Sequence, residues 1–427
     1  MTIFAALGPS VRNNLALLFG AGLCFWAGLA GLLPTLPLFI ATLGGSGQEI
    51  GTVMASFALG LLLTRPGLAH LADRRGRKLV MVIGLVAVTL APLGYLLVMA
   101  LPHQVWIITA NVRIDLEILA LMLIRAFHGV SIAAFVVAYH ALVVDLSPPG
   151  NRGELIGYMT LVNPIGLALG PALGGFIYGV LGFGLAFFAM TVLGLIGLAL
   201  VMGLRESHHP DRGDSSASSP EPFWSQLWTG RLRTPAMILL LVGLAFGTLS
   251  TFVPLYVREA GLDLNVGLIY TASAIASFMS RLVVGRVSDN HGRGRFITLS
   301  LVIYSLAMAM FWQAHNIPMF LLAGLMQGAA AGTLIPMVAA LTSDRSTPRE
   351  RGRTFGLVMV GFDVGIALAG PVLGTLADSL SYRNIFGLAA LLVLMGFVVF
   401  ITGSSKDLSH SLEFSLAGGR DVYAVDG

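Results

Sequence analysis

Cysteine is almost absent from this chain: Cys24 is the only one in 427 residues. That excludes an intrachain disulfide and a cysteine metal cluster. Charge is also thin. Asp, Glu, Lys and Arg make up 11% of the chain, against 56% hydrophobic residues and a mean hydropathy of +0.85. A soluble domain carries about 25% charged residues. Too little polar surface is left to face water all round, so lipid must be the solvent. Lysine is the scarcest charged residue, at Lys78 and Lys406 only. Neither completes G-x-x-x-x-G-K-[ST], which excludes a Walker A loop. The chain also lacks a Gly-x-Ser-x-Gly elbow and a His-Glu-x-x-His pair. No recognisable catalytic set remains, and the chain is not expected to be an enzyme.

What is present is a succession of apolar runs. A bilayer core of ~30 Å needs about 20 apolar residues per helix. On that ruler twelve spans are expected: 14–42, 48–71, 78–101, 117–140, 152–178, 182–203, 236–257, 265–287, 295–314, 317–341, 353–377 and 383–403. The fold class is an all-α membrane protein. Arg12 precedes an apolar run longer than a signal peptide's h-region, so the first run reads as an uncleaved helix. The net charge of +4 comes from Arg and Lys gathered in alternate loops, which orients both termini to the cytoplasm. Nucleic acid is not needed to explain it. The chain divides into a six-helix half (1–203), a cytoplasmic linker (204–235), a second six-helix half (236–404) and a polar tail (405–427) expected to be disordered. The linker is rich in Ser, Asp, His and Pro. Phe223–Trp228 could form a short interfacial helix.

The halves repeat each other. Arg65-Pro66-Gly67-Leu68-Ala69-His70-Leu71-Ala72-Asp73-Arg74-Arg75-Gly76-Arg77-Lys78 returns 216 residues later as Arg281 to Arg293, keeping Arg, Asp eight residues on and Gly-Arg three after that. Leu36-Pro37-Leu38 returns as Val253-Pro254-Leu255. His128-Gly129 corresponds to Gln327-Gly328, Asp145 to Asp344, Pro149 to Pro348 and Arg152-Gly153 to Arg351-Gly352, all offset by 199. The longer external loop of the first half, around His103 to Glu117, accounts for the drop in offset. Repetition of this length marks a transporter built from two halves about an axis along the membrane normal. The first copy of the loop motif resembles G-x-L-A-D-R-x-G-R-K of the major facilitator superfamily, departing at Ala69; the second copy keeps that glycine as Gly285.

The resemblance implies alternating access. It implies a gating role for Asp73, Arg74, Gly76, Arg77 and Lys78, with Asp289, Gly292 and Arg293 as the second copy. Gly76 permits a tight turn, Asp73 can receive backbone N–H groups of the next helix, and Arg77 can pair across to the other half. Loop charges that only set topology are the plainer alternative. In span four, Arg125-Ala126-Phe127-His128-Gly129 resembles the family's R-x-x-Q-G, with His128 for Gln. A charge at that depth costs about 2.5–3.5 kcal/mol and therefore has a partner. Relatives use it in proton coupling or substrate charge; a structural Arg bonded to helix carbonyls is the alternative. In span five, Gly157, Gly166, Gly170-Pro171 and Gly174-Gly175 keep the spacing G-x8-G-x3-G-P-x2-G-G. This resembles the span-five motif of proton-coupled antiporters, notably drug exporters. Small residues allow close helix approach, and Pro171 bends the span.

Asp363 is the one acid placed near mid-membrane, on span eleven; its repeat partner is Asn163. Arg65 on span two has its counterpart in Arg281 on span eight. The expected pairs are Arg65–Asp363 and Arg281–Asn163. An Asp that loses its partner in one state changes its proton affinity, which couples a proton to a switch. The substrate cavity is expected near the midplane, from Phe25, Trp26, His128, Ser131, Tyr139, Tyr270 and Gln327, a mixed aromatic and polar set suited to an amphipathic organic solute. His140 and Asp145 are expected to be solvated. No metal site or cofactor is expected; without a Walker A loop, the energy must come from an ion gradient or the solute's own. The expected partners are a small-molecule substrate and the lipid bilayer, with the protein a monomer. The expected function is proton-driven efflux of a drug-like compound or metabolite, with an uptake symporter or uniporter of the same fold as the alternative.

Overall fold

A computed structural model describes residues 7–101, 105–109, 112–147, 152–204, 225–347 and 350–425. The chain is all-α, with a small hairpin at one loop. Its helices are α1 (Pro9–Ala30), α2 (Leu36–Thr42), α3 (Gly47–Arg75), α4 (Arg77–Val98), α5 (Leu116–Leu146), α6 (Arg152–Met159), α7 (Val162–Met202), α8 (Gly230–Glu259), α9 (Gly267–His291), α10 (Arg293–Gln313), α11 (Ile317–Asp344), α12 (Arg351–Leu380), α13 (Tyr382–Gly403) and α14 (Leu408–Leu412). The loop around His103 to Glu117 holds β1 (Val105–Thr109) and β2 (Val112–Asp115), paired antiparallel. Asp115 then caps α5, its carboxylate accepting from Glu117 N at 2.9 Å.

Among the described residues, eleven helical stretches are long and apolar enough to cross a membrane. One of them, Glu154–Met202, has 49 residues. At 1.5 Å per residue that is ~73 Å, about twice what a ~30 Å core requires. Gly182 breaks it at φ 81°, ψ 179°, so it supplies two spans and the total is the expected twelve. Span one is likewise divided, into α1 and α2, by a turn at 31–35. Span seven starts earlier than expected: α8 begins at Gly230 and carries Pro235 inside its first turns. Pro235 is the sixth residue of the helix and removes the bond to Arg231 O, which accepts instead from Arg345 Nη1 at 2.9 Å.

The residues group into two compact units. The first comprises Met1–Gly45, Thr52–Gly213 and Asn265–Gly267; the second comprises Ser46–Gly51, Asp214–Leu264 and Leu268–Gly427. The repeat shows in the backbone of each. Gly44, Gly76 and Gly182 have positive φ in the first unit; Gly261, Gly292 and Ser381, at offsets 217, 216 and 199, have it in the second unit's numbering frame. These are the turns after spans one, two and five and their repeats. Five of the six are glycine because an L side chain is strained at such φ. Ser381, at φ 95°, is not.

The expected disordered tail is corrected. Residues 404–425 fold onto the second unit as α14, a π-turn over Glu413–Ala417 and an irregular end. The physical reason is Arg345, whose burial is complete. Its Nε donates to Asp421 Oδ2 at 2.7 Å and its Nη2 to Asp421 Oδ1 at 3.0 Å. Nη2 also reaches Ser404 O at 2.7 Å, and Nη1 reaches Arg231 O at 2.9 Å. A buried charge needs such a set of partners, and the tail provides one. Residues 205–224 of the expected linker lie outside the described residues; Ser225–Trp228 forms a short 3-10 turn.

Candidate functional site

Each unit holds the same ion pair behind its glycine turn. In the first, Arg77 pairs with Asp145 and donates from Nη1 to Ala141 O at 2.8 Å. In the second, Arg293 pairs with Asp344. The four residues are repeat partners, at offsets 216 and 199. Asp145 is solvent-exposed, as expected, and through Arg77 it also ties the end of α5 to the start of α4. This partner of Arg77 lies inside its own unit. Gly76 and Gly292 make the turns at φ 98° and φ 84°. Lys78 Nζ donates to Met202 O at 2.9 Å and Leu204 O at 2.6 Å, the orphan carbonyls at the end of α7. Arg74 is exposed. The side chains of Asp73 and Asp289 lie outside the described residues.

A polar cluster is buried in the first unit. Arg125 and His128 sit on α5 with 6% and 0% exposure. Arg125 Nη1 lies 3.2 Å from His128 Nδ1, and Tyr95 Oη lies 3.3 Å from the same nitrogen. A guanidinium only donates, so Nδ1 accepts and the ring proton sits on Nε2. The guanidinium also lies over the Phe57 ring, 4.5 Å from its centroid, a cation–π contact. Arg125 Nε, His128 Nε2 and Ser131 Oγ are buried without a hydrogen-bond partner. The second unit has a neutral version. Ser273 Oγ donates to Gln327 Oε1 at 2.6 Å, and Gln327 Nε2 donates to Tyr304 Oη at 3.1 Å. Gln327 is the repeat partner of His128, and Ser273 of Phe57.

The span-five glycines are packing surfaces. A Cβ at Gly166 would strike Trp26, at Gly170 the Ala27 carbonyl and at Gly174 the Gly31 carbonyl, so α7 lies directly on α1. Gly175 meets Asn265, whose Nδ2 donates to Ala172 O at 3.2 Å. Gly157, on the separate helix α6, meets nothing within 4 Å. In the second unit Gly361 and Gly365 do the same work for α12 against α8, meeting the carbonyls of Ala236 and Leu240.

The other singled-out residues are spread through both units. Asp363 lies on α12 with 5% exposure. Arg65 and Asn163 are partly buried, and Arg281 is exposed; Arg65 belongs to the first unit and Asp363 to the second. Phe25 is fully buried, stacked on Phe135 at 3.9 Å, and Tyr139 stacks on Phe135 in turn while donating to Met159 O at 2.8 Å. Tyr270 donates to Leu249 O at 3.3 Å. Phe25, His128 and Ser131 thus present no surface to a solute in this conformation, whereas Trp26 keeps part of its surface open. Two features escaped the sequence reading. Asp378, in the second unit, accepts from Gly47 N at 2.6 Å and Gln48 N at 3.1 Å. A cavity of about 550 Å³ opens between Tyr256, Gln313, His315, Met319 and Arg383. Among the described residues no group of His, Cys, Asp or Glu could hold a metal ion.

Twelve spans in two repeated halves, with matched turns and matched ion pairs, define a multi-pass membrane transporter. The sequence pattern of the Major Facilitator Superfamily matches residues 18–286 and, overlapping, 263–416, and the chain belongs to that superfamily. It is 27% identical over 398 residues to the multidrug resistance protein MdtG of Klebsiella pneumoniae (strain 342), covering 88% of this chain and 89% of that one. It is 25% identical over 393 residues to the multi-drug resistance efflux pump PmrA of Streptococcus pneumoniae serotype 4, covering 90% and 94%. The nucleoside transporter NupG shares its fold, with a TM-score of 0.74 at 14% identity over 92% of this chain and 99% of that one. A bacterial homologue of the lysosomal transporter Spinster gives 0.70 at 12% identity, over 93% and 98%. The cell membrane is its location.

Proposed function

We propose that the chain is a proton-driven exporter of a small amphipathic organic solute, working by alternating access with both termini in the cytoplasm. The observation that carries the coupling is Asp363. It lies twelve residues into α12, ~18 Å from the helix start at 1.5 Å per residue, and is 5% exposed. An acid held at that depth costs free energy whenever it is charged. Its protonation is therefore tied to any change in its surroundings. The similarity to a multidrug resistance protein at 27% identity supports the solute class, and that to a multi-drug resistance efflux pump at 25% supports the direction as well. Arg125, buried on α5 with His128 as acceptor, is the second group whose charge such a cycle would use.

The test is substrate-triggered proton flux in inside-out vesicles, run over a panel of amphipathic drugs, sugars and amino acids. Proton release from the lumen on drug addition, lost in Asp363→Asn, is the expected result. Transport that persists without a proton gradient would leave a facilitator instead. Uptake symport is the second reading, and the sign of the same flux separates it from export.

A further inference from the structure

The tail that covers Arg345 has a second face. After α13 the chain turns back within a few residues: Ser405 N donates to Ser411 Oγ at 2.9 Å, and Asp407 caps α14 by accepting from His410 N at 2.9 Å. Over 408–417 the inner face is Ser411, Phe414 and Ser415, exposed by 0%, 4% and 0%. Ser415 O accepts from Thr298 Oγ1 at 2.9 Å, and the Phe414 ring lies 6.2 Å from that of Phe400. These contacts fix the depth of the segment. Thr298 is five residues inside α10 and Phe400 three residues before the end of α13, ~7.5 and ~4.5 Å from the helix ends. The segment therefore runs beside the first turns of α10 and the last turns of α13 rather than beyond them.

The outer face is a stripe of leucines at four-residue spacing: Leu408, Leu412 and Leu416, exposed by 55%, 36% and 52%. The same two spans present Leu299 and Val398 outward near these contacts, exposed by 54% and 47%, as part of the surface that lipid covers. Lys406, Arg295 and Arg420 are exposed around the segment, and Arg295 Nε donates to Leu416 O at 3.1 Å. Asp407 and Glu413 are exposed there too, so the rim is charged with both signs. Apolar side chains on one face, a charged rim and a position level with the span ends are the features of a helix lying in a membrane interface.

We propose that residues 408–417 are an in-plane membrane anchor whose Leu408–Leu412–Leu416 stripe enters the headgroup–acyl boundary, while its other face seals the second unit. The occupant of the stripe is the bilayer, because the stripe continues an apolar surface that the bilayer already covers. The anchor is joined through Asp421 to Arg345, so the membrane holds the strap against the ends of α8, α10, α11 and α13.

The test places one cysteine on the full-length protein in a Cys24→Ala background, labels it with an environment-sensitive fluorophore and reconstitutes the protein in nanodiscs. With Leu412→Cys, lipids spin-labelled near the headgroup should quench severalfold more than lipids labelled deep in the chain. Aqueous iodide should quench it severalfold less than a label at Ala424→Cys. Equal iodide quenching at both positions would overturn the proposal, since the stripe would then face water. Shielding from iodide and from both lipid quenchers would overturn it as well, because protein would then cover the stripe. Leu408→Cys and Leu416→Cys give the same readout should the Leu412 variant fail to fold.

Discussion

Ser381 occupies a backbone conformation that five glycines occupy elsewhere in the repeat pattern, at φ 95° and ψ 151°. A non-glycine residue there stores about 1–3 kcal/mol of strain. Its hydroxyl caps neither neighbouring helix, so no hydrogen bond offsets that cost at the cap. Ser381→Gly should therefore stabilise the protein by about 1 kcal/mol, after the ~0.5–1 kcal/mol that glycine loses through its freer unfolded chain. Gly182→Ser should do the reverse, and thermal unfolding in detergent measures both. At His128 the deciding atom is Nδ1, the acceptor that Arg125 faces. Glutamine keeps a carbonyl acceptor and stands at the repeat position as Gln327, so His128→Gln should retain folding and transport. His128→Leu removes the acceptor from a charged donor, which costs about 1.5–3 kcal/mol or more when buried. Expression level and transport rate should both fall with the leucine and hold with the glutamine.

At the scale of elements, the spans were legible because hydropathy over twenty residues is a local property and each span supplies its own. The repeat was legible because turns and ion pairs recur at fixed offsets, and Arg77–Asp145 with Arg293–Asp344 confirms the register. The tail was not. Its polar, small residues read locally as disorder, and what folds it is a guanidinium 76 residues away in sequence. One signal was present: the repeat puts Leu146 where Arg345 stands, so only the second unit has a charge there to satisfy. Asp421→Asn should leave that charge without its carboxylate and destabilise the second unit by about 3–5 kcal/mol. Arg345→Leu combined with Asp421→Asn should recover much of the loss, because the cation itself is gone. A double variant no more stable than Asp421→Asn alone would show that the ion pair does not hold the strap. The span-five glycines belong to this scale too. The spacing foretold contact but not the neighbour, which is α1. Gly170→Leu should push α7 off the Ala27 carbonyl, whereas Gly157→Leu, facing open space, should be tolerated; melting temperature separates the two.

At the scale of the whole molecule, the two units carry the same scaffold and different chemistry. The positive-φ turns, the ion pairs Arg77–Asp145 and Arg293–Asp344, and the glycine-mediated helix contacts are duplicated. The buried polar clusters are not: Arg125–His128–Tyr95 carries a fixed positive charge, whereas Ser273–Gln327–Tyr304 carries none. Conversely the second unit buries an acid, Asp363, where the first has Asn163. A duplicated scaffold suits two halves that move as bodies, and the charges that differ are the ones available to sense an ion. If the scaffold and the charges serve separate purposes, they should fail separately. Asp363→Asn replaces a buried acid by a near-isostere, so the fold should be kept while the proposed proton coupling is lost. Asp344→Asn breaks a scaffold pair at a half-exposed site, where the loss should be about 0–1 kcal/mol; coupling stoichiometry should stay constant while turnover slows. Parallel measurement of drug flux, proton flux and melting in the two variants decides the matter. Loss of stoichiometric coupling in Asp344→Asn, or unfolding in Asp363→Asn, would mean that scaffold and charge are not separable in this transporter.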